Sequence, residues 1–95
     1  MDVTTVYKYT VCSQTTSFPV KGYLSVLCAK IQGESIVIYC LVDKGLEDST
    51  SIEADVRMTG DTRHIPSGEG HKQYLNTLMM PNGIVAHVFY KEHNL

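Results

Sequence analysis

The 95-residue chain contains no tryptophan, only two phenylalanines, three prolines and three cysteines, and no segment with helical periodicity. Without a heptad or 3.6-residue repeat, an α-helical bundle is excluded. No apolar run approaches the ~20 residues of a membrane span, and Met1-Asp2-Val3-Thr4-Thr5 lacks the charged and apolar regions of a signal peptide, which reads as a cytoplasmic protein. Charge of one sign is also missing. Eight Lys and Arg are scattered among ten acidic residues, with a net charge of −2, so no basic stripe exists for general nucleic-acid binding. Cys12, Cys28 and Cys40 show no Cys-x-x-Cys spacing and fall inside apolar strand patterns, so they read as reduced core residues. Cys28 and Cys40 lie on strands expected to pair, which leaves a disulfide between them as the minor alternative.

What the chain does contain is β-structure. Two hairpins stand out, Leu24 to Asp43 about Gln32-Gly33-Glu34 and Tyr74 to Tyr90 about Pro81-Asn82-Gly83. Val3 to Cys12 alternates Tyr7, Tyr9 and Val11 with Lys8 and Thr10. Phe18-Pro19 cannot belong to a central strand and predicts a loop or ragged edge. Tyr23 to Ile31 and Ile36 to Val42 are apolar on both faces, which predicts central strands covered by a second layer or by another copy of the chain. Ile52, Ala54, Val56 and Met58 alternate with Glu53, Asp55, Arg57 and Thr59, a strand with one solvated face. The expectation is one all-β domain over residues 1–95, a small antiparallel sandwich or barrel-like unit of about six strands that self-associates. Its expected core is Leu24, Val26, Ile36, Ile38, Val56, Val85 and Phe89.

Chemistry is sparsely marked. The connection from Gly60 to Gln73 is too long for an ordinary hairpin and gathers Arg63, His64, His71 and Lys72 with several glycines. Backbone N–H groups near glycine and adjacent cations suit an anion such as a phosphate, so Gly60, Arg63, His64, His71 and Lys72 are the predicted ligand- or partner-binding residues. The segment matches no P-loop or dinucleotide fingerprint. His64 and His71 lack metal-ligand spacing, and the serines of the turn clusters lack a Gly-x-Ser-x-Gly elbow. No cofactor, metal site or catalytic residue is predicted, and the chain reads as a binding protein rather than an enzyme. His87, between Val85 and Phe89, reads as a strand histidine bonded to a neighbouring backbone or hydroxyl group.

Val6-Tyr7-Lys8-Tyr9, Ile31-Gln32-Gly33 leading to Tyr39-Cys40-Leu41-Val42-Asp43, Thr59-Gly60 followed by His64-Ile65-Pro66, and Gly83-Ile84-Val85-Ala86-His87-Val88-Phe89 occur in this order across nearly the whole chain. In this the chain resembles a family of small tailed-phage and prophage proteins catalogued as a domain of unknown function. The resemblance implies a phage- or prophage-encoded protein of the host cytoplasm with no known reaction. Small accessory phage proteins without enzyme motifs often act by binding, and one common use is to block host defence. The expected partner is therefore a host defence protein or a nucleotide second messenger; the alternative is a phage structural or assembly accessory protein.

Overall fold

A computed structural model describes residues 3–11, 15–60 and 72–94. Seven strands form β1 (Thr4–Val11), β2 (Thr15–Lys21), β3 (Tyr23–Gln32), β4 (Ser35–Asp43), β5 (Ser49–Met58), β6 (Gln73–Met79) and β7 (Val85–Asn94), and no helix occurs among the described residues. They make two antiparallel sheets, β1-β4-β3 and β2-β5-β7-β6, packed as an open sandwich rather than a closed barrel. The thinnest extent, 15 Å, fits two sheets about 10 Å apart.

The core is shared equally between the layers. Val11, Ala29, Ile36, Ile38, Cys40 and Val42 face Val20, Ile52, Ala54, Val56, Ala86 and Val88. Both predicted hairpins form: Gln32 pairs with Ser35 across a turn in which Gly33 has φ 63°, and Met79 pairs with Val85 beyond a loop containing Gly83 at φ 87°. Gly22 is the corner where the chain leaves one sheet for the other. Its φ is 72°, its N–H donates to the Asp48 carbonyl and its own carbonyl accepts from Asp43, both at 2.8 Å. A Cβ at this position would overlap the Asp43 carbonyl oxygen, so glycine is required.

Two contacts close the sides of the sandwich. Tyr9 of β1 stacks on Phe18 of β2 with ring centroids 4.6 Å apart. On the opposite side the Asn76 carboxamide of β6 accepts from the Ala29 N–H at 2.9 Å and donates to the Ala29 carbonyl at 3.0 Å. One side chain thereby does for β3 what a neighbouring strand would do.

Several sequence expectations change. β2, read as a loop or ragged edge, is an edge strand containing Pro19, because the missing donor is tolerated there. β4 is central as expected, but β3 is an edge strand. Its register slips twice, between Tyr23 and Ser25 and between Val26 and Cys28, so Leu24 and Leu27 are bulge residues and stand 42% and 45% exposed. Leu24 therefore leaves the expected core. The same slip sets Cys28 opposite Tyr39 and Val26 opposite Cys40, which places the two cysteines on opposite faces, and both are free thiols. On β7 the buried pair is Ala86 and Val88, while Val85 and Phe89 are half-buried on the outward face. His87 shares that outward face, where its two ring nitrogens find hydroxyl partners. Ile36, Ile38 and Val56 are buried as expected, and Val26 is half-buried against the core.

Candidate interaction surface

The predicted binding segment is described only at its ends. Gly60 follows β5 with φ 91°, just after Thr59 donates its N–H to the Val85 carbonyl at 3.0 Å. Lys72 directly precedes β6. Its Nζ lies 2.7 Å from Glu53 Oε2, and its side chain is 10% exposed, so its charge is matched within the fold. Arg63, His64 and His71 lie outside the described residues. The Lys72 ammonium, by hydrogen bond and by charge, holds the Glu53 carboxyl below the usual glutamate range against the opposing effect of burial, with His93 and Lys91 adding smaller contributions. His93 Nε2 is 3.5 Å from the other Glu53 oxygen.

This cluster belongs to the outward face of the four-stranded sheet, which is not the solvated surface that the β5 alternation predicted. Asp55 and Arg57 are 2% and 7% exposed. Arg57 Nε and Nη2 each lie 3.0 Å from Asp55 Oδ2, a two-pronged contact that satisfies charges withdrawn from water. Farther along, His87 Nε2 is 2.8 Å from Thr59 Oγ1 and Nδ1 is 3.1 Å from Thr77 Oγ1, which in turn lies 2.6 Å from the Tyr74 hydroxyl. The imidazole is held by neutral hydroxyls on both sides, the arrangement its strand position led one to expect. Tyr74 also meets Phe89 edge-on with centroids 5.7 Å apart. Among the described residues no group of three His, Cys, Asp or Glu side chains is placed to hold a metal ion.

The outward face of the three-stranded sheet is of another kind. Strand pairing aligns Val6 with Leu41, Lys8 with Tyr39 and Thr10 with Val37, and on the other side Cys28 with Tyr39 and Lys30 with Val37. Val37, Tyr39 and Leu41 thus form an apolar column in which Val37 is buried at 2% exposure and Tyr39 and Leu41 are half-buried, and the 48%-exposed Val6 extends it. Lys8 and Lys30 flank it, with Lys8 Nζ 2.9 Å from Gln32 Oε1. Asp43, at one corner, is the single carboxylate among the strand positions of this face, and its Oδ1 accepts from the Gly45 N–H at 2.8 Å. Inward-facing Cys40 has its thiol pushed up to about 11 by burial, so it is inert.

A family model described as Domain of unknown function (DUF7352) matches residues 3–94. The chain belongs to this family. No curated protein and no solved structure matches it at a significant level. The DUF7352 match spans all seven strands, so the entire sandwich is the family's unit.

Sequence reasoning missed three features of this DUF7352 domain. The bulge leucines were hidden because apolar residues on both faces of β3 look like burial on both faces. The Asp55–Arg57 pair was hidden because an i, i+2 charge pair reads as a wet strand face. Asn76 carried a usable signal, a lone carboxamide between Leu75 and Leu78 in a strand with an inward face.

Proposed function

We propose that this protein is a phage- or prophage-encoded, non-enzymatic binding protein of the host cytoplasm that counters bacterial immunity by occupying a host defence protein. The phage origin rests on the resemblance of its motifs to small tailed-phage proteins. The choice of a protein target rests on one observation, the half-buried Tyr39 and Leu41 with the exposed Val6 beside them, flanked by Lys8 and Lys30 on a chain of net charge −2. An apolar centre with a charged rim is the anatomy of a protein-binding surface, and its positive rim suits an acidic surround on the target. Tyr39 at the centre is of the residue type that most often carries affinity, Leu41 completes the apolar contact around it, and the lysines steer association.

The reading is tested by expressing the protein in bacterial strains that each carry one defence system and challenging them with phage. Restored plaque formation in one strain, lost with Tyr39→Glu or Leu41→Glu variants that keep their β circular dichroism, is the expected result. Rescue that survives both substitutions would move the surface elsewhere, and no rescue in any strain would remove the anti-defence reading. Recovery of a nucleotide or of virion proteins with the purified chain would favour nucleotide sequestration or an assembly role instead.

A further inference from the structure

Four strands lie at sheet edges, and three of them are guarded. β2 contains Pro19, β3 carries two bulges and the Asn76 clamp on Ala29, and β6 is broken in register at Leu75. Such devices prevent a further strand from adding to an edge. β1 has no proline, bulge or clamp, and its one charged residue is Lys8. Its register against β4 is unbroken from Thr4↔Asp43 to Val11↔Ile36, and it contains neither proline nor glycine.

The direction of its free backbone groups follows from neighbouring bonds. Asp43 donates its N–H to Gly22, toward β3, whereas Lys44 donates to the Val3 carbonyl, toward β1. Because alternate residues of a central strand turn to opposite neighbours, Thr5, Tyr7 and Tyr9 exchange ladder bonds with Val42, Cys40 and Ile38. The N–H and C=O groups of Val6, Lys8 and Thr10 then point away from β4. No described backbone group meets them, and all three residues are exposed. Only an extended chain offers a matching row of donors and acceptors.

We propose that the protein is a two-fold dimer in which β1 pairs antiparallel with β1 of a second copy, joining two three-stranded sheets into one of six strands. Two symmetric registers give the longest overlap with these outward groups in ladder positions. One centres on Lys8 and sets two ammonium groups directly opposite each other, which is destabilising. The other centres on Tyr7, sets Lys8 against the second copy's Val6, and brings the 45%-exposed Tyr7 against its own copy in a close, non-hydrogen-bonded pair. The Tyr7-centred register is the one assigned. It places both copies' Val6, Tyr39 and Leu41 on one continuous face, so the dimer presents the proposed target surface twice. The dimer itself is tested without a target.

Sedimentation analysis from low to high micromolar concentration is the direct measurement. Wild-type protein is expected to sediment as a dimer. Lys8→Pro deletes an outward N–H while leaving the ladder to β4 intact, and it is expected to yield a folded monomer. Tyr7→Lys puts like charges on the two-fold axis and is expected to weaken the dimer by about tenfold or more, and it decides the matter if the proline variant does not fold. Tyr7→Cys is expected to cross-link into a covalent dimer under mild oxidation, where wild-type protein and Thr10→Cys do not. A strictly monomeric wild type overturns the proposal. So does a dimer that survives Tyr7→Lys and is not trapped by Tyr7→Cys.

Discussion

The two outward faces of this sandwich invert the usual relation between polarity and exposure. On β5 the outward residues include an aspartate and an arginine that are almost fully buried, whereas on β4 and β1 they include Leu41, Tyr39 and Val6, which remain in partial or open contact with solvent. Buried charge is expensive and is retained only when paired; exposed apolar surface gains by being covered. The four-stranded face is accordingly a finished piece of structure, and the three-stranded face is the one poised for a partner. If that contrast is right, substitutions on the first face change stability and substitutions on the second change binding.

The largest expected effect comes from breaking the finished face. Arg57→Met leaves the Asp55 carboxylate without the guanidinium that grips it, and should cost about 3–5 kcal/mol in urea unfolding. A cost below 1 kcal/mol would mean that the pair is solvated after all. Next is the core beneath the other face. Ile38→Ala, at a fully buried position, should cost about 2–5 kcal/mol. Leu41→Ala, three residues on and facing outward, should cost no more than about 1 kcal/mol while weakening target binding. Equal costs at the two positions would show that the outward face is covered within a single chain. Smaller again is the clamp between the sheets. Asn76→Ala strands the Ala29 N–H and carbonyl and should cost about 1–3 kcal/mol, with faster amide exchange concentrated at β3.

The contrast between the faces also explains which parts of the molecule could be read in advance. Hairpins were legible because their signals are local: Gly33 and Gly83 supply positive φ where the chain must reverse. The central place of β4 was legible because seven successive apolar residues leave no wet face. Position in the sheet was harder. β3 carries almost the same apolar content as β4, yet two inserted residues shift its parity and turn Leu24 and Leu27 outward, and a period-two argument has no means of locating an insertion. Similarly, Glu53, Asp55 and Arg57 alternate as a solvated face would, because pattern records polarity and is blind to pairing. For the predicted binding segment, only Gly60 and Lys72 can be compared with the structure, and Lys72, just before β6, proves to be matched by Glu53 of β5 with β7 between them, a pairing that its sequence position does not announce.

The smallest expected effect is a pH dependence confined to the charged face. Lys72, with lesser help from His93 and Lys91, lowers the Glu53 carboxyl below its ordinary value of 4.5. The unfolded chain therefore binds this proton more readily than the folded one, and stability rises with pH over the interval between the two values. The contribution of Glu53 is fully present above the ordinary glutamate range and disappears as pH falls through the lowered value. Glu53→Gln should be less stable than wild type at neutral pH, with the two unfolding curves converging as the solution is acidified below 4.5. Added salt should narrow the neutral-pH gap only partly, because the Lys72 side chain is 10% exposed and poorly screened. Tyr39→Ser on the opposite face should leave the acid limb of the stability curve unaltered. A difference between wild type and Glu53→Gln that persists unchanged into acid would mean that the carboxylate stabilises by packing and hydrogen bonding, and that its charge contributes nothing.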